Sequence, residues 1–284
     1  MSLLDDVLRA VGVNPTQARW RWRRWKERRA GKGPPIQPRP IHDENATPFA
    51  TVLLLGACAV LYFVTLKASA DMAPEGTRLG STPHTFALLR YGATLPLLTW
   101  GEHEWWRAVT AMFLHGSVMH LLMNSISMWV IGRVIEERFG AARMIVVFVV
   151  TGAAGFAAST WWKLPHGGPS VGASGAIFGL LGCAVGHALV RRGRSAQELR
   201  ARFLPWMVFS LIMGFASPRI DNAAHLGGLV SGVLIGFVLG EKDLARRGGT
   251  VVWTVLAIAA LGLVAVSFAL VAKHDVLPLL LQMG

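Results

Sequence analysis

The chain has 284 residues, of which 53% are apolar and 15% charged, with a mean hydropathy of +0.46. Such a composition excludes a disordered chain and a water-soluble enzyme, because several apolar runs reach the roughly 20 residues that cross about 30 Å of hydrocarbon. A net charge of +12 and a pI near 11.0 leave either nucleic-acid binding or membrane topology as the cause, and the positions of the basic residues decide between them.

Residues 1–47 are polar and basic. They hold a short amphipathic stretch at 3–13, the run Arg19-Trp20-Arg21-Trp22-Arg23-Arg24-Trp25-Lys26, and a breaker-rich segment at 31–40. An apolar signal core is not found there, and Asp5 and Asp6 argue against a mitochondrial presequence. The first apolar run is therefore expected to remain as a transmembrane helix. Runs bounded by charge, Gly or Pro predict seven spans, at 49–66, 108–132, 144–162, 173–190, 203–217, 223–240 and 250–272. The fifth falls short of a full span and carries Pro205 near its start. Between the first two spans, 67–107 is long, and its part-apolar stretch 86–98 reads as an interfacial element. Cys58 and Cys183 lie inside apolar runs and read as small packing residues, with no disulfide framework and no metal site. The absence of an internal repeat weakens an inverted-repeat transporter.

With the N-terminus inside, the inner segments hold 21 of the 28 Lys and Arg. That bias predicts a cytoplasmic N-terminus and an outer C-terminus, and it explains the high pI without nucleic acid. Trp100, Trp105, Trp106, Trp161 and Trp162 cluster near the expected outer ends, where indole rings favour the interface.

Polar side chains inside spans are expensive and mark candidate function. His115, His120 and Asn124 fall in the second predicted span, Ser174 opens the fourth and His225 opens the sixth. His120 and Asn124, four apart, share one helix face, an arrangement that also serves plain helix packing. Gly172-Ala173-Ser174-Gly175 leaves a hydroxyl uncovered at a helix N-terminus, where free amides and the dipole favour a developing oxyanion; a tight packing turn is the bland alternative. Glycines at 228, 232, 236 and 240 form a ridge on the sixth span. If that ridge meets Gly175, Gly179, Gly182 and Gly186 of the fourth, Ser174 and His225 come within hydrogen-bond distance. Ser174, His225, His120 and Asn124 are expected at a similar outer depth. Together they supply a nucleophile, a base and two oxyanion donors, the needs of acyl transfer. The predicted spans contain no carboxylate to orient the imidazole, so the expectation is a Ser-His dyad.

These residues resemble the rhomboid family of intramembrane serine proteases over roughly residues 48–241. Trp106-Arg107 is similar to the family's Trp-Arg pair, and His120-Leu-Leu-Met-Asn124 to its His-xxx-Asn. Gly132, Glu136 and Gly140 match its Gly-xxx-Glu-xxx-Gly, Gly172-Ala-Ser174-Gly175 its nucleophile motif, and Ala224-His225 through Gly228 and Gly232 its Ala-His-xx-Gly-xxx-Gly. The resemblance implies an all-α membrane protein, a rhomboid-like six-helix transmembrane bundle plus a seventh C-terminal transmembrane helix. It implies Ser174 as nucleophile, His225 as general base and acid, and His120, Asn124 and the Ser174 amide as oxyanion donors. It also implies cleavage of peptide bonds in or beside transmembrane helices, with the fifth helix governing access. Phe178 departs from the family's usual Tyr, keeping an aromatic face without the hydroxyl.

The expected organisation is a basic cytoplasmic region at 1–47, a catalytic core at 48–241, and a loop with a seventh helix at 242–284. No cofactor or metal is expected. Expected partners are transmembrane-helix substrates and membrane lipids, with the basic N-terminus on the inner leaflet of a bacterial-type cell membrane and no nucleic acid. A catalytically silent relative that escorts transmembrane helices and a transporter lined by His and Asn are the competing readings, and both tolerate loss of Ser174.

Overall fold

A backbone shielded from water must satisfy its own hydrogen bonds, and the apolar runs of this chain do so as α-helices. The computed structural model describes residues 47–71, 80–191, 193–217, 220–239, 247–274 and 276. The basic, Trp-rich segment and amphipathic stretch before residue 47, and Gly240 of the glycine ridge, lie outside them. In chain order the helices are α1 (Phe49–Asp71), α2 (Thr85–Arg90), α3 (Arg107–Thr110), α4 (Val118–Phe139), α5 (Ala141–Trp162), α6 (Ser174–Val190), α7 (Arg194–Phe215), α8 (Asn222–Val238) and α9 (Arg247–Lys273). The seven long helices follow the order of the seven predicted spans, and the molecule is an all-α membrane protein.

Helices α1, α4, α5 and the Val251–Lys273 part of α9 are long and apolar enough to cross a bilayer, whereas α6 and α8 are 17-residue apolar helices. The burial of α6 explains how so short a helix is tolerated: from Gly175 to Ala188 every residue is buried. A helix that is hydrophobic all round belongs inside a bundle, and here the neighbours, not lipid, cover it. At about 1.5 Å per residue it rises about 25 Å, less than the hydrocarbon thickness.

The largest differences from the sequence expectation lie at the starts of the second and fifth spans. The second span was expected at 108–132, but residues 107–113 form α3 and a 3-10 turn, and the long helix begins only at Val118. Ser117 starts it, its hydroxyl accepting from the His120 amide at 3.1 Å. His115 therefore precedes α4 and is not part of the span. Residues 108–114 are apolar because they are buried in protein, with α3 packed on α5 and α9. Helix α7 begins at Arg194, well before the expected 203, and Pro205 lies inside it. Its early turns are polar, and the Arg200 guanidinium donates to the Ala188 carbonyl at the end of α6.

Three charged side chains organise the loops, two of them buried. Arg107, fully buried, donates to the carbonyls of Leu89 at 2.6 Å and Ala93 at 3.2 Å and pairs with Glu104. It satisfies backbone that has no ladder of its own and fixes the stretch 86–98, whose Leu88, Leu89, Ala93 and Leu98 form a small core with Leu114 and Val276. The expected interfacial element is thus a packed cap. Glu136 on α4 accepts from the amides of Ala50 and Thr51 at 2.8 and 2.9 Å and from the Thr51 hydroxyl at 2.8 Å, capping the start of α1 from another helix. Asp221, the third, starts α8.

The tightest contact joins α6 to α8. A Cβ at Gly228 would lie 2.0 Å from the Gly175 carbonyl oxygen, one at Gly232 2.0 Å from that of Gly179, and one at Gly236 2.2 Å from that of Cys183. From the other side, a Cβ at Gly182 or Gly186 would lie 2.3 Å from the carbonyl of Leu229 or Val233. Carbonyl oxygens occupy the space of missing side chains along the whole interface. Gly232→Val is expected to force the helices apart and cost about 3 kcal/mol or more. Gly262→Ala, where a Cβ meets nothing within 4 Å, is expected to be neutral or stabilising by up to about 1 kcal/mol. Thermal unfolding of both variants in detergent checks the pair.

Candidate active site

Ser174 is the first residue of α6, where the opening amides have no intrahelical acceptor. The turn before it requires Gly172, whose φ is +126°. A Cβ at that position would lie 2.6 Å from both Cε1 and Nε2 of His120 and 3.5 Å from Nδ2 of Asn124. The bare backbone of the Ser174 loop therefore rests on those two side chains. The Gly172 amide donates to the Ala111 carbonyl at 2.9 Å, tying the loop to the irregular segment before α4.

His225 lies in the first turn of α8. Its Nε2 is 2.8 Å from the Ser174 Oγ, so that with the ring proton on Nδ1 the serine hydroxyl donates to Nε2. Phe178, one turn after Ser174 on the same face, stacks on the imidazole at 4.3 Å with the planes 21° apart. Among the described residues His225 Nδ1 has no hydrogen-bond partner. The ring is held by stacking and by the position of its helix. Small residues allow this: Ala224 precedes His225, and its carbonyl faces Gly155 of α5, where a Cβ would lie 2.6 Å away.

His120 and Asn124 occupy the first two turns of α4, His120 half-buried and Asn124 buried. Their facing of the Gly172 backbone brings the side chains of α4 to the end of α6 at which Ser174 sits. His115, grouped with them by sequence, stands apart: it is fully buried in the pre-helix segment, its ring edge-on to His120 at 5.0 Å between centroids. It backs His120 and lines a small cavity with Asn124 and Ala173.

Sequence reasoning missed Asp221. Its Oδ1 accepts from the Ala224 amide at 3.1 Å, and its Oδ2 accepts from the hydroxyls of Ser159 and Ser170 and from the Lys163 ammonium at 2.6 Å. Burial alone would raise this carboxyl, but the Lys163 charge and the donated hydrogen bonds outweigh it and hold the group below the usual carboxylate value. An Asp directly before a helix is a recognisable N-cap, the one signal the sequence offered. Among the described residues no group of three or more His, Cys, Asp or Glu converges to hold a metal ion.

Chemically, a serine hydroxyl donating to an imidazole, at a helix N-terminus and beside an amide and a second imidazole, can perform nucleophilic acyl transfer. The Rhomboid domain family matches residues 102–242, which hold all four candidate residues. The chain is similar to the Bacillus subtilis rhomboid protease GluP, 31% identical over 232 residues, covering 82% of this chain and 42% of GluP. It is similar to the Arabidopsis thaliana RHOMBOID-like protein 5, 34% identical over 203 residues, covering 69% of this chain and 64% of that protein. The Bacillus subtilis protein YdcA is 35% identical over 163 residues, covering 57% of this chain and 81% of YdcA. The chain thus spans well under two thirds of GluP but most of YdcA. With the domain match, these similarities and the all-helical membrane fold in agreement, the chain belongs to the rhomboid family.

Proposed function

We propose that the protein is an intramembrane serine endopeptidase that hydrolyses peptide bonds in or next to transmembrane helices through a Ser174-His225 dyad. The observation that carries this reading is the 2.8 Å contact between Ser174 Oγ and His225 Nε2 at one end of two apolar helices. The names of GluP, a rhomboid protease, and of its relatives support it.

In the proposed reaction Ser174 Oγ attacks the scissile carbonyl carbon while its proton passes to His225 Nε2. The oxyanion so formed is met by the Ser174 amide, His120 and Asn124. Collapse breaks the C–N bond, and the imidazolium returns its proton to the leaving nitrogen. Water then attacks the acyl-serine with the same base, which releases the second product and restores the serine. Phe178 keeps the imidazole plane fixed by stacking, a task that needs no hydroxyl. Among the described residues no carboxylate bonds the imidazole, so its alignment depends on packing.

The domain reading follows the same lines: a catalytic core at 48–241, a seventh helix after it, and a basic segment at 1–47 that binds the anionic inner leaflet. The distribution of Lys and Arg favours a cytoplasmic N-terminus and an outer C-terminus in a bacterial-type cell membrane. Its substrates are then membrane proteins whose helices reach the outer half of the bilayer.

In detergent, wild type is expected to react covalently with a fluorophosphonate probe and to cut a model transmembrane substrate. Ser174→Ala and His225→Ala are each expected to lose activity by on the order of 10³-fold or more. A folded wild type that neither reacts nor cuts would refute the reading in favour of a silent helix-binding relative. Asn124→Ala is expected to lower kcat about 10²-fold with little change in KM, as loss of an oxyanion donor does; steady-state kinetics on the model substrate checks it. Both rates are expected to fall as pH drops and the His225 imidazole takes up a proton, following a single ionisation that is absent from residual activity in His225→Ala.

A further inference from the structure

We infer that Asp221 is the positioning residue of the dyad: its carboxylate ties together the two chain segments that carry Ser174 and His225 and so sets the distance between them. The inference rests on the protease reading and adds to it the group that does the work a third carboxylate does in a triad, without touching the imidazole.

The geometry is specific. Asp221 Oδ1 accepts from the amide of Ala224, the residue immediately before His225, and the Asp221 carbonyl accepts from the His225 amide at 3.1 Å. Asp221 Oδ2 accepts from the hydroxyl of Ser170, four residues before Ser174. Ser170 is itself anchored: its amide donates to the Thr94 carbonyl at 2.9 Å, and its carbonyl accepts from the Thr94 amide at 3.1 Å and hydroxyl at 3.0 Å. The same Oδ2 accepts from Ser159 and Lys163 at the end of α5, the helix whose Gly155 backs Ala224. One carboxylate therefore joins the start of α8, the nucleophile loop and the end of α5, and through Ser170 the outer loop as well.

The need for such a joint follows from what the dyad lacks. Among the described residues His225 Nδ1 has no partner, and the glycine interface between α6 and α8 begins only at Gly175 and Gly228, deeper in the bundle than the reacting atoms. Beyond that interface, the nucleophile loop turns away through Gly172 at φ +126°, where its amide bonds the Ala111 carbonyl and makes no tie to α8. A misplacement of about 1 Å costs on the order of 10²-fold in rate, so a joint at the mouth of the two helices matters for catalysis and not only for stability. The depressed titration of Asp221 agrees, keeping it an anion able to accept four hydrogen bonds across the working pH range.

The test measures the rate of fluorophosphonate labelling and the steady-state cleavage of a model transmembrane substrate, on the full chain in detergent, well below each variant's unfolding temperature. Asp221→Ala is expected to label about tenfold to 10²-fold more slowly than wild type, with kcat lowered and KM within about twofold. Asp221→Asn, which keeps a capping oxygen for Ala224, is expected to fold like wild type and still label at least about threefold more slowly. Asp221→Asn decides the matter if the alanine variant does not fold. Ser170→Ala is expected to slow labelling, and adding it to Asp221→Ala to produce little further loss, because both remove the same joint. Labelling of either folded Asp221 variant within twofold of wild type overturns the inference, as does a double variant whose losses multiply. A folded wild type that does not label removes the protease reading itself, an outcome separate from any result that compares variants with an active wild type.

Discussion

Two helix backbones in direct contact set the terms for the rest of this molecule. Lipid gives apolar helices little reason to associate through hydrophobicity, so association relies on close packing and on polar contacts made at short range. Along α6 and α8 the glycines remove every side chain that would keep the axes apart, and carbonyl oxygens of one helix fill the places where Cβ atoms of the other would stand. That contact fixes the register of the pair as well as its distance. Gly175 meets Gly228 just inside the point where Ser174 and His225 meet, one residue after the first and three after the second. A shift of either helix by one turn would separate the two side chains by about 5.4 Å.

Irregular backbone at membrane depth is tolerated only where protein satisfies it. This chain meets that condition with charged side chains at helix ends and loops, each bonded to at least one backbone group. Arg107 supplies donors to the carbonyls of Leu89 and Ala93, Glu136 supplies acceptors to the first amides of α1, and Asp221 does the same for α8. Glu104 adds a link to the seventh helix, with His274 Nδ1 at 3.4 Å and the His274 ring against Trp106 at 4.9 Å. This end of the bundle is thus a set of loops locked to helix termini, and Ser174 and His225 sit beneath that lock.

What the amino-acid sequence revealed followed physical necessity. Long apolar runs are required by hydrocarbon thickness, so the helices were legible, and polar residues inside those runs have so few reasons to be there that Ser174, His225, His120 and Asn124 stood out. The glycine ridge was legible for the same reason. Hydropathy does not distinguish burial in lipid from burial in protein, which is why residues 108–114 read as the beginning of a span whereas α4 starts at Val118. The polar turns at 194–202 hid the true start of α7. Asp221 was least legible, because its partners Ser159, Lys163 and Ser170 lie 62, 58 and 51 residues away and nothing in local spacing links them.

The central claim is the proposal that Ser174 and His225, with His120 and Asn124 as oxyanion donors, act at a single point at the mouth of α6 and α8. An experimental structure of the fluorophosphonate adduct tests it most directly. The account expects a phosphorus–oxygen bond to Ser174 Oγ, the phosphoryl oxygen directed at the Ser174 amide, His120 and Asn124, and His225 Nε2 within hydrogen-bond distance of the adduct. An adduct on another side chain, or a phosphoryl oxygen turned away from α4, would contradict it.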